Sequence, residues 1–390
     1  MGKKCAMHPL ALVAALLPLL LPLLLLSADA APAADEVLSL PGWDGELPSK
    51  QYSGYLDLPN TNKHLHYWAV LSEGDPSADP VAFWFNGGPG CSSVDGFLYE
   101  HGPFHVNADD YSKLDYFNYT WAKHATMVYL EAPAGVGFSY SDDAADYTTD
   151  DDQTALDNLA AVETWFAAFP EYLESDFFIT GESYAGVYVP TLAEAILNAT
   201  NAGTYTGAPL RGIAVGNGCS GNEIGICSWG VQGDYYETSY LTQLAFIPAS
   251  LKSSIAAECD WSGAANNTDT RSAACKALLV QLQETVGNVN VYNVYGECVS
   301  GSAQEVEGRS VLKAPRIDPK TGKPRPPAWA TTKEDSSGQQ DAAQSVVSLN
   351  ACIDSRAAAG WINQPAVLEA LHVKQQPYDW AICGNQISYT

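Results

Sequence analysis

The chain has 390 residues and a formal net charge of −26, from 19 Lys and Arg against 45 Asp and Glu. With 46% apolar and 11% aromatic residues it can bury a large core, as one big domain or a core plus an insertion, which excludes a disordered chain. The charge argues against nucleic acid and against anionic membrane surfaces as partners; the many carboxylates suit either work at acidic pH or plain solubility.

The first 30 residues read as a secretory signal peptide. Lys3 and Lys4 form its basic end, Leu10 to Leu26 is apolar, and Ala28-Asp29-Ala30 fits a small-x-small cleavage site. An uncleaved anchor is the alternative. Pro18, Pro22 and the cleavage site favour removal, which leaves no stable membrane anchor. Of nine cysteines, Cys5 leaves with the signal, and the even remainder in an oxidising compartment points to disulfides. Nothing in the Cys and His spacing suggests zinc, and no cofactor is called for. Sequons at Asn118, Asn198 and Asn266 fit the same compartment. The destination is the secretory pathway, with lysosome, vacuole and extracellular space all open.

Residues 64–71, 81–85, 127–130, 177–180 and 213–215 read as strands rich in aromatic and β-branched side chains. Between the third and fourth, Asp151 to Phe169 has helical spacing, with Leu156, Leu159, Val162, Phe166 and Phe169 on one face. Alternating strands and helices predict an α/β core with a mainly parallel sheet, its first part over 31–216. From 217 to 350 the alternation stops and five cysteines cluster, at 219, 227, 259, 275 and 298. This reads as an inserted cap stapled by local bridges. Within it, 307–344 reads as an exposed, protease-sensitive loop, or as a basic docking patch, because seven of the 19 basic residues fall between Arg309 and Lys333. Residues 351–390 read as a return to the core.

Three segments carry chemistry. Gly181-Glu182-Ser183-Tyr184-Ala185-Gly186 lies between a strand and a helix, the setting in which a sharp turn exposes a nucleophilic serine. Asn86-Gly87-Gly88-Pro89-Gly90-Cys91-Ser92-Ser93 directly follows the strand ending at Phe85, and its glycines let backbone N–H groups face a ligand. Glu131 to Tyr140 is a second tight turn after a strand. The bland alternative, three unrelated glycine turns, fits poorly with all three at strand ends on one sheet edge. Loop histidines His101 and His105 read as packing or surface residues.

NGGPGCSS together with GESYAG, and the segments 97–104, 131–140, 169–172, 214–218 and 362–371, resemble the serine carboxypeptidases of the α/β-hydrolase fold, in the cathepsin A (lysosomal protective protein) branch. The resemblance covers about 55–385. It implies an α/β-hydrolase core with a disulfide-rich, largely helical cap, and release of C-terminal amino acids from peptides through an acyl-enzyme at acidic pH. Ser183 would be the nucleophile, and the N–H groups of Gly88 and Tyr184 the oxyanion hole. Asn86, Gly87 and Glu182 would hold the substrate's terminal carboxylate, with Glu100 hydrogen-bonded to Glu182. The resemblance also implies the bridges Cys91–Cys383, Cys298–Cys352 and Cys259–Cys275. That leaves Cys219 and Cys227 as a local fourth pair, or as free thiols. Partners would be peptide or protein C-termini, and a homodimer is compatible with this.

The family's aspartate and histidine segments, of G-D-x-D and G-x-G-H type, do not occur here, so the last core strands are expected to be missing. The one histidine after Ser183 is His372, at the end of a helix-like stretch where the family has a non-catalytic residue. The expectation is that these residues alone are catalytically inactive. A non-catalytic pseudo-hydrolase that binds carboxylates or protects a partner is one alternative. An acyltransferase on the same fold is another.

Overall fold

The computed structural model describes residues 31–107, 109–219, 231–266, 268–287, 356–374, 378–383 and 386–389. The signal peptide, the 307–344 loop and Cys227, Cys298 and Cys352 lie outside the described residues.

The chain opens with β1 (Glu36–Val37), β2 (Gln51–Asp57), β3 (Lys63–Val70) and β4 (Val81–Phe85). A wide helical turn, Gly96–His101, is followed by β5 (Phe104–Val106), β6 (Leu114–Tyr116), β7 (Thr126–Leu130), β8 (Tyr140–Ser141) and β9 (Thr148–Thr149). Then come α1 (Asp151–Ala168), β10 (Phe177–Glu182), α2 (Ala185–Ala202) and β11 (Leu210–Gly216). Beyond these lie α3 (Val231–Gln243), α4 (Ala249–Glu258), α5 (Ala273–Val286), α6 (Arg356–Ile362), α7 (Pro365–Ala370) and β12 (Ser388–Tyr389).

The main sheet runs β1-β2-β3-β7-β4-β10-β11, with β8 beside β3. Strands β7, β4, β10 and β11 are mutually parallel. Every residue of β4 and β7 is buried, as expected of strands covered on both faces. On one face α1 and α2 build a core from Phe83, Phe85, Trp165, Phe166, Val189 and Leu192. On the other, the 96–101 turn, α6, α7 and Trp380 pack on Trp68, Trp84, Met127 and Tyr129.

Helix α1 starts where Asp150 caps the Gln153 N–H. Of the expected face Val162, Phe166 and Phe169 are buried and Leu156 is exposed, while Ala155, Asn158, Ala161 and Trp165 also face inward. The helix packs against α2 as well as the sheet, and its two large aromatic rings set the rotation. The same rotation turns Asp157 inward, where it pairs with buried Lys63 of β3 at 2.5 Å.

Strand β11 pairs only with β10 among the described residues, and Ile213 and Val215 on it are exposed. Helices α3 to α5 form a separate small core around the Cys259–Cys275 disulfide, with Leu241, Leu251, Ile255, Leu279 and Leu282. A buried ion pair between Arg271 and Asp234 accompanies it. Asn118, Asn198 and Asn266 are all exposed.

Candidate active site

Ser183 sits between the end of β10 and the start of α2, with φ of 57°. A non-glycine residue in that region is strained by about 1–3 kcal/mol, and neighbouring structure has to hold it there. Its own N–H donates to the Gly216 carbonyl at 3.1 Å, and its carbonyl accepts from Cys219 N at 2.8 Å and Gly186 N at 2.9 Å. Cys219 is itself disulfide-bonded. The turn lifts the serine off the sheet at the carboxyl end of a central parallel strand.

The glycine-rich turn after β4 lies directly on this elbow. A Cβ on Gly87 would sit 2.3 Å from Tyr184 N and 2.9 Å from Ser183 Cβ, so no side chain fits there. Gly88 has φ of 113°, a conformation L side chains rarely adopt. Neither the Gly88 nor the Tyr184 N–H is given a hydrogen-bond acceptor by the described residues. Two unspent backbone donors beside a serine are what a tetrahedral oxyanion needs. The turn is fixed from outside: Tyr188 Oη accepts from Gly90 N, Ser92 N donates to Ile382 O at 2.6 Å, and Cys91 is bridged to Cys383. The Tyr184 hydroxyl donates to Asp151, which also accepts from Tyr389 of β12 at 2.8 Å.

Beside the turn is a half-buried cluster of acids on one amide. Asn86 Oδ1 accepts from Trp84 Nε1 at 2.7 Å and Gly96 N at 3.1 Å, so its orientation is set. Its Nδ2 then faces Glu182 Oε1 at 3.1 Å, Glu100 Oε1 at 3.3 Å and Asp95 Oδ2 at 3.4 Å. Glu100 and Glu182 meet through this shared amide. Two carboxyls near one donor group do better sharing its hydrogens than facing each other lone pair to lone pair. Burial, then the nearby Glu182, pushes Asp95 up to about 7. Burial, Glu182 and Asp95 push Glu100 up to about 7, and burial raises Glu182 against the opposing hydrogen bond from Asn86. Protonated acids here can donate O–H to an incoming carboxylate.

No described histidine hydrogen-bonds Ser183. His101 is buried, stacked on Trp121 and bonded to Tyr129 Oη, and desolvation lowers it to about 3. His105 stacks on Phe117, and His372 Nδ1 bonds the Ser53 carbonyl. His66, which the sequence reading treated only as a strand residue, joins a fully buried polar hub. Its Nδ1 meets Glu131 Oε2 at 2.9 Å and its Nε2 meets Ser53 Oγ at 2.9 Å. Glu131 also accepts from Phe138 N, Trp380 Nε1 and Ser92 Oγ. The hub thus joins the glycine-rich turn, the 131–140 turn and the 378–383 segment. Asp95 was missed too; a single acid in Ser-Val-Asp-Gly carries no local signal of burial. Among the described residues no group of His, Cys, Asp and Glu is suited to a metal, and no helix is long and apolar enough to cross a membrane.

A parallel-centred α/β sheet with a strained serine between strand and helix, two free amides beside it and cap helices after the core defines an α/β-hydrolase. The serine carboxypeptidase family model matches residues 41–390, and the chain belongs to that family of peptidases. It is 37% identical to the mouse lysosomal protective protein, over 95% of this chain and 74% of that protein. It is 34% identical to barley serine carboxypeptidase 1, over 92% of this chain and 73% of that enzyme. The solved structure of the yeast prohormone-processing carboxypeptidase Kex1 superposes with a TM-score of 0.59 at 22% identity, covering 87% of this chain and 69% of that one.

Proposed function

We propose that this site binds the free C-terminus of a peptide and presents its last peptide bond to Ser183. Asn86, Gly87, Glu182 and Glu100 hold the terminal carboxylate, and the Gly88 and Tyr184 amides hold the oxyanion of the acyl-transfer step. The observation that carries this reading is the Asn86 amide, locked by Trp84 and Gly96 so that its donors face two half-buried acids next to the elbow. The sign of the pH effect follows. Glu100, pushed up to about 7, is protonated below that range, and burial raises Glu182 in the same direction; protonated, they bind a carboxylate by donating to it, and binding weakens as pH rises. The site therefore favours acidic conditions, which agrees with a lysosomal or similar destination on the secretory route.

A serine hydroxyl is a weak nucleophile unless a base takes its proton. No described histidine reaches Ser183, so these residues by themselves should bind far better than they turn over. That observation favours, as the second reading, a protein that binds carboxylates without cleaving them. One experiment addresses both. Residues 31–390 are expressed and exposed to a fluorophosphonate probe, and their affinity is measured for an N-blocked peptide and for its C-terminal amide at pH 5. Tighter binding of the free acid with little labelling of Ser183 is the expected result. Equal binding of acid and amide would sink the carboxylate site. Rapid labelling abolished by Ser183→Ala would show that a base is present and restore full catalysis to this chain. Turnover of an acyl ester with transfer to an alcohol, in preference to peptide cleavage, would mark an acyltransferase.

A further inference from the structure

We propose that Asp95 is a third acid of the carboxylate site, so that binding a peptide C-terminus draws more than one proton from solution. This rests on the carboxypeptidase reading above and extends it to the coupling between substrate and pH.

The Asn86 amide has two Nδ2 hydrogens and cannot turn round, because Trp84 Nε1 and Gly96 N occupy its oxygen. Three carboxyl oxygens share those hydrogens, at 3.1, 3.3 and 3.4 Å. An incoming carboxylate is a fourth claimant. The second oxygen of Asp95, Oδ1, is buried and has no hydrogen-bond partner among the described residues. An ionised carboxylate with one bare buried oxygen is costly; a protonated one carries a hydroxyl that can point at a ligand.

The surroundings supply no compensating cation. Asp95 faces Glu182 from β10 and Glu100 from the 96–101 turn, and none of the three has an ion pair with Lys, Arg or His among the described residues. Behind Glu100 lie Tyr129 of β7, whose hydroxyl burial holds protonated, and His101 and His105, both kept neutral by burial. Among the described residues the only available neutralising charge is the proton. The raised Asp95 and Glu100, both near 7, agree with this. Three coupled acids then fill cooperatively when a carboxylate arrives, and affinity falls more steeply with pH than an acid holding one proton allows.

The test uses residues 31–390 carrying Ser183→Ala, an N-blocked hydrophobic dipeptide with a free C-terminus, and its amide. Titration calorimetry at pH 6, 7 and 8, in two buffers of different ionisation enthalpy, counts protons taken up. One proton corresponds to a tenfold loss of affinity per pH unit. The native site should lose more than tenfold per unit between pH 7 and 8. Asp95→Asn, and independently Asp95→Ser, should lose about tenfold or less, with thermal midpoints showing that both fold; the amide should take up none. Wild-type uptake of one proton or fewer throughout overturns the proposal without any variant. So does wild-type steepness in either folded variant. If Glu182→Gln alters the profile while Asp95→Asn does not, only the third acid fails. If Glu182→Gln changes nothing and the amide binds as well as the acid, the carboxypeptidase reading itself fails.

Discussion

Replacing Glu131 by Gln should unfold the core far more readily than so small a change implies. Glu131 and His66 are both fully buried. Four donors converge on the two Glu131 oxygens: Ser92 Oγ and Trp380 Nε1 on one, Phe138 N and His66 Nδ1 on the other. An amide must turn its NH2 toward one of these pairs. Ser92 can rotate and His66 can change tautomer, but Trp380 Nε1–H and Phe138 N–H are fixed donors, so one N–H always faces another. An unsatisfied buried group costs about 1–3 kcal/mol. The Ser53 hydroxyl donates to the Leu371 carbonyl at 2.8 Å, and the His66 ring bridges Ser53 Oγ and Glu131 Oε2 in the same network, so changes at positions 66 and 131 should couple. Taking about 2 kcal/mol for the unsatisfied donor, and an unfolding entropy of about 2.1 cal/mol/K per residue over about 360 residues, the melting midpoint should fall by about 3 °C. Calorimetry of wild type, Glu131→Gln, His66→Phe and the double variant measures this, with the double costing clearly less than the sum. A Glu131→Gln midpoint within about 1 °C of wild type, or strict additivity, would refute the coupled hub.

Gly87→Ala places a Cβ 2.3 Å from Tyr184 N, so the turn and elbow must part by about 1 Å; that strain costs about 1–3 kcal/mol and should weaken free-acid peptide binding about tenfold or more. Wild-type affinity in titration calorimetry would mean that the turn does not press on the elbow. The Cys91–Cys383 disulfide closes a loop of 292 residues, and the double change Cys91→Ser with Cys383→Ser should lose up to about 6 kcal/mol by loop entropy, read from urea midpoints. A loss under about 1 kcal/mol would show that Ser92–Ile382 pairing and the Trp380 packing hold the segment unaided.

Local pattern made the core strands legible. Val81–Phe85 and Met127–Leu130 are unbroken apolar runs, the composition expected of strands buried on both faces. The elbow and the glycine turn were legible because their geometry admits few residues: Gly87 has no room for a Cβ, and Gly88 needs positive φ. What stayed hidden was long-range. Asp95 looks like any loop acid until β10 brings Glu182 against it. His66 and Glu131 lie 65 residues apart, and neither neighbourhood reports the other. On α1 the spacing placed Val162, Phe166 and Phe169 inward, as they are; what it could not say is that Trp165 would be buried and Leu156 exposed.

The elbow also separates assembly of the site from its chemistry. Ser183 is strained, yet its backbone is held by Gly216 at the end of β11, by Cys219 beyond it and by Gly186 in the first turn of α2, while Gly87 closes the fourth side from β4. None of these contacts involves a histidine, so the position of Oγ does not depend on one. The carboxylate cluster is equally independent, since Trp84 and Gly96 orient Asn86 from within the strand and turn that carry it. Binding determinants and oxyanion donors are thus set by backbone and core packing before any proton acceptor is considered. Loss of the acceptor removes most of a triad's millions-fold rate but leaves about 10³–10⁴ from the hole and from binding. On the proposed reading, affinity for peptide C-termini and rate of cleavage are therefore separate properties, and a binding assay on the Ser183→Ala variant should find the first intact.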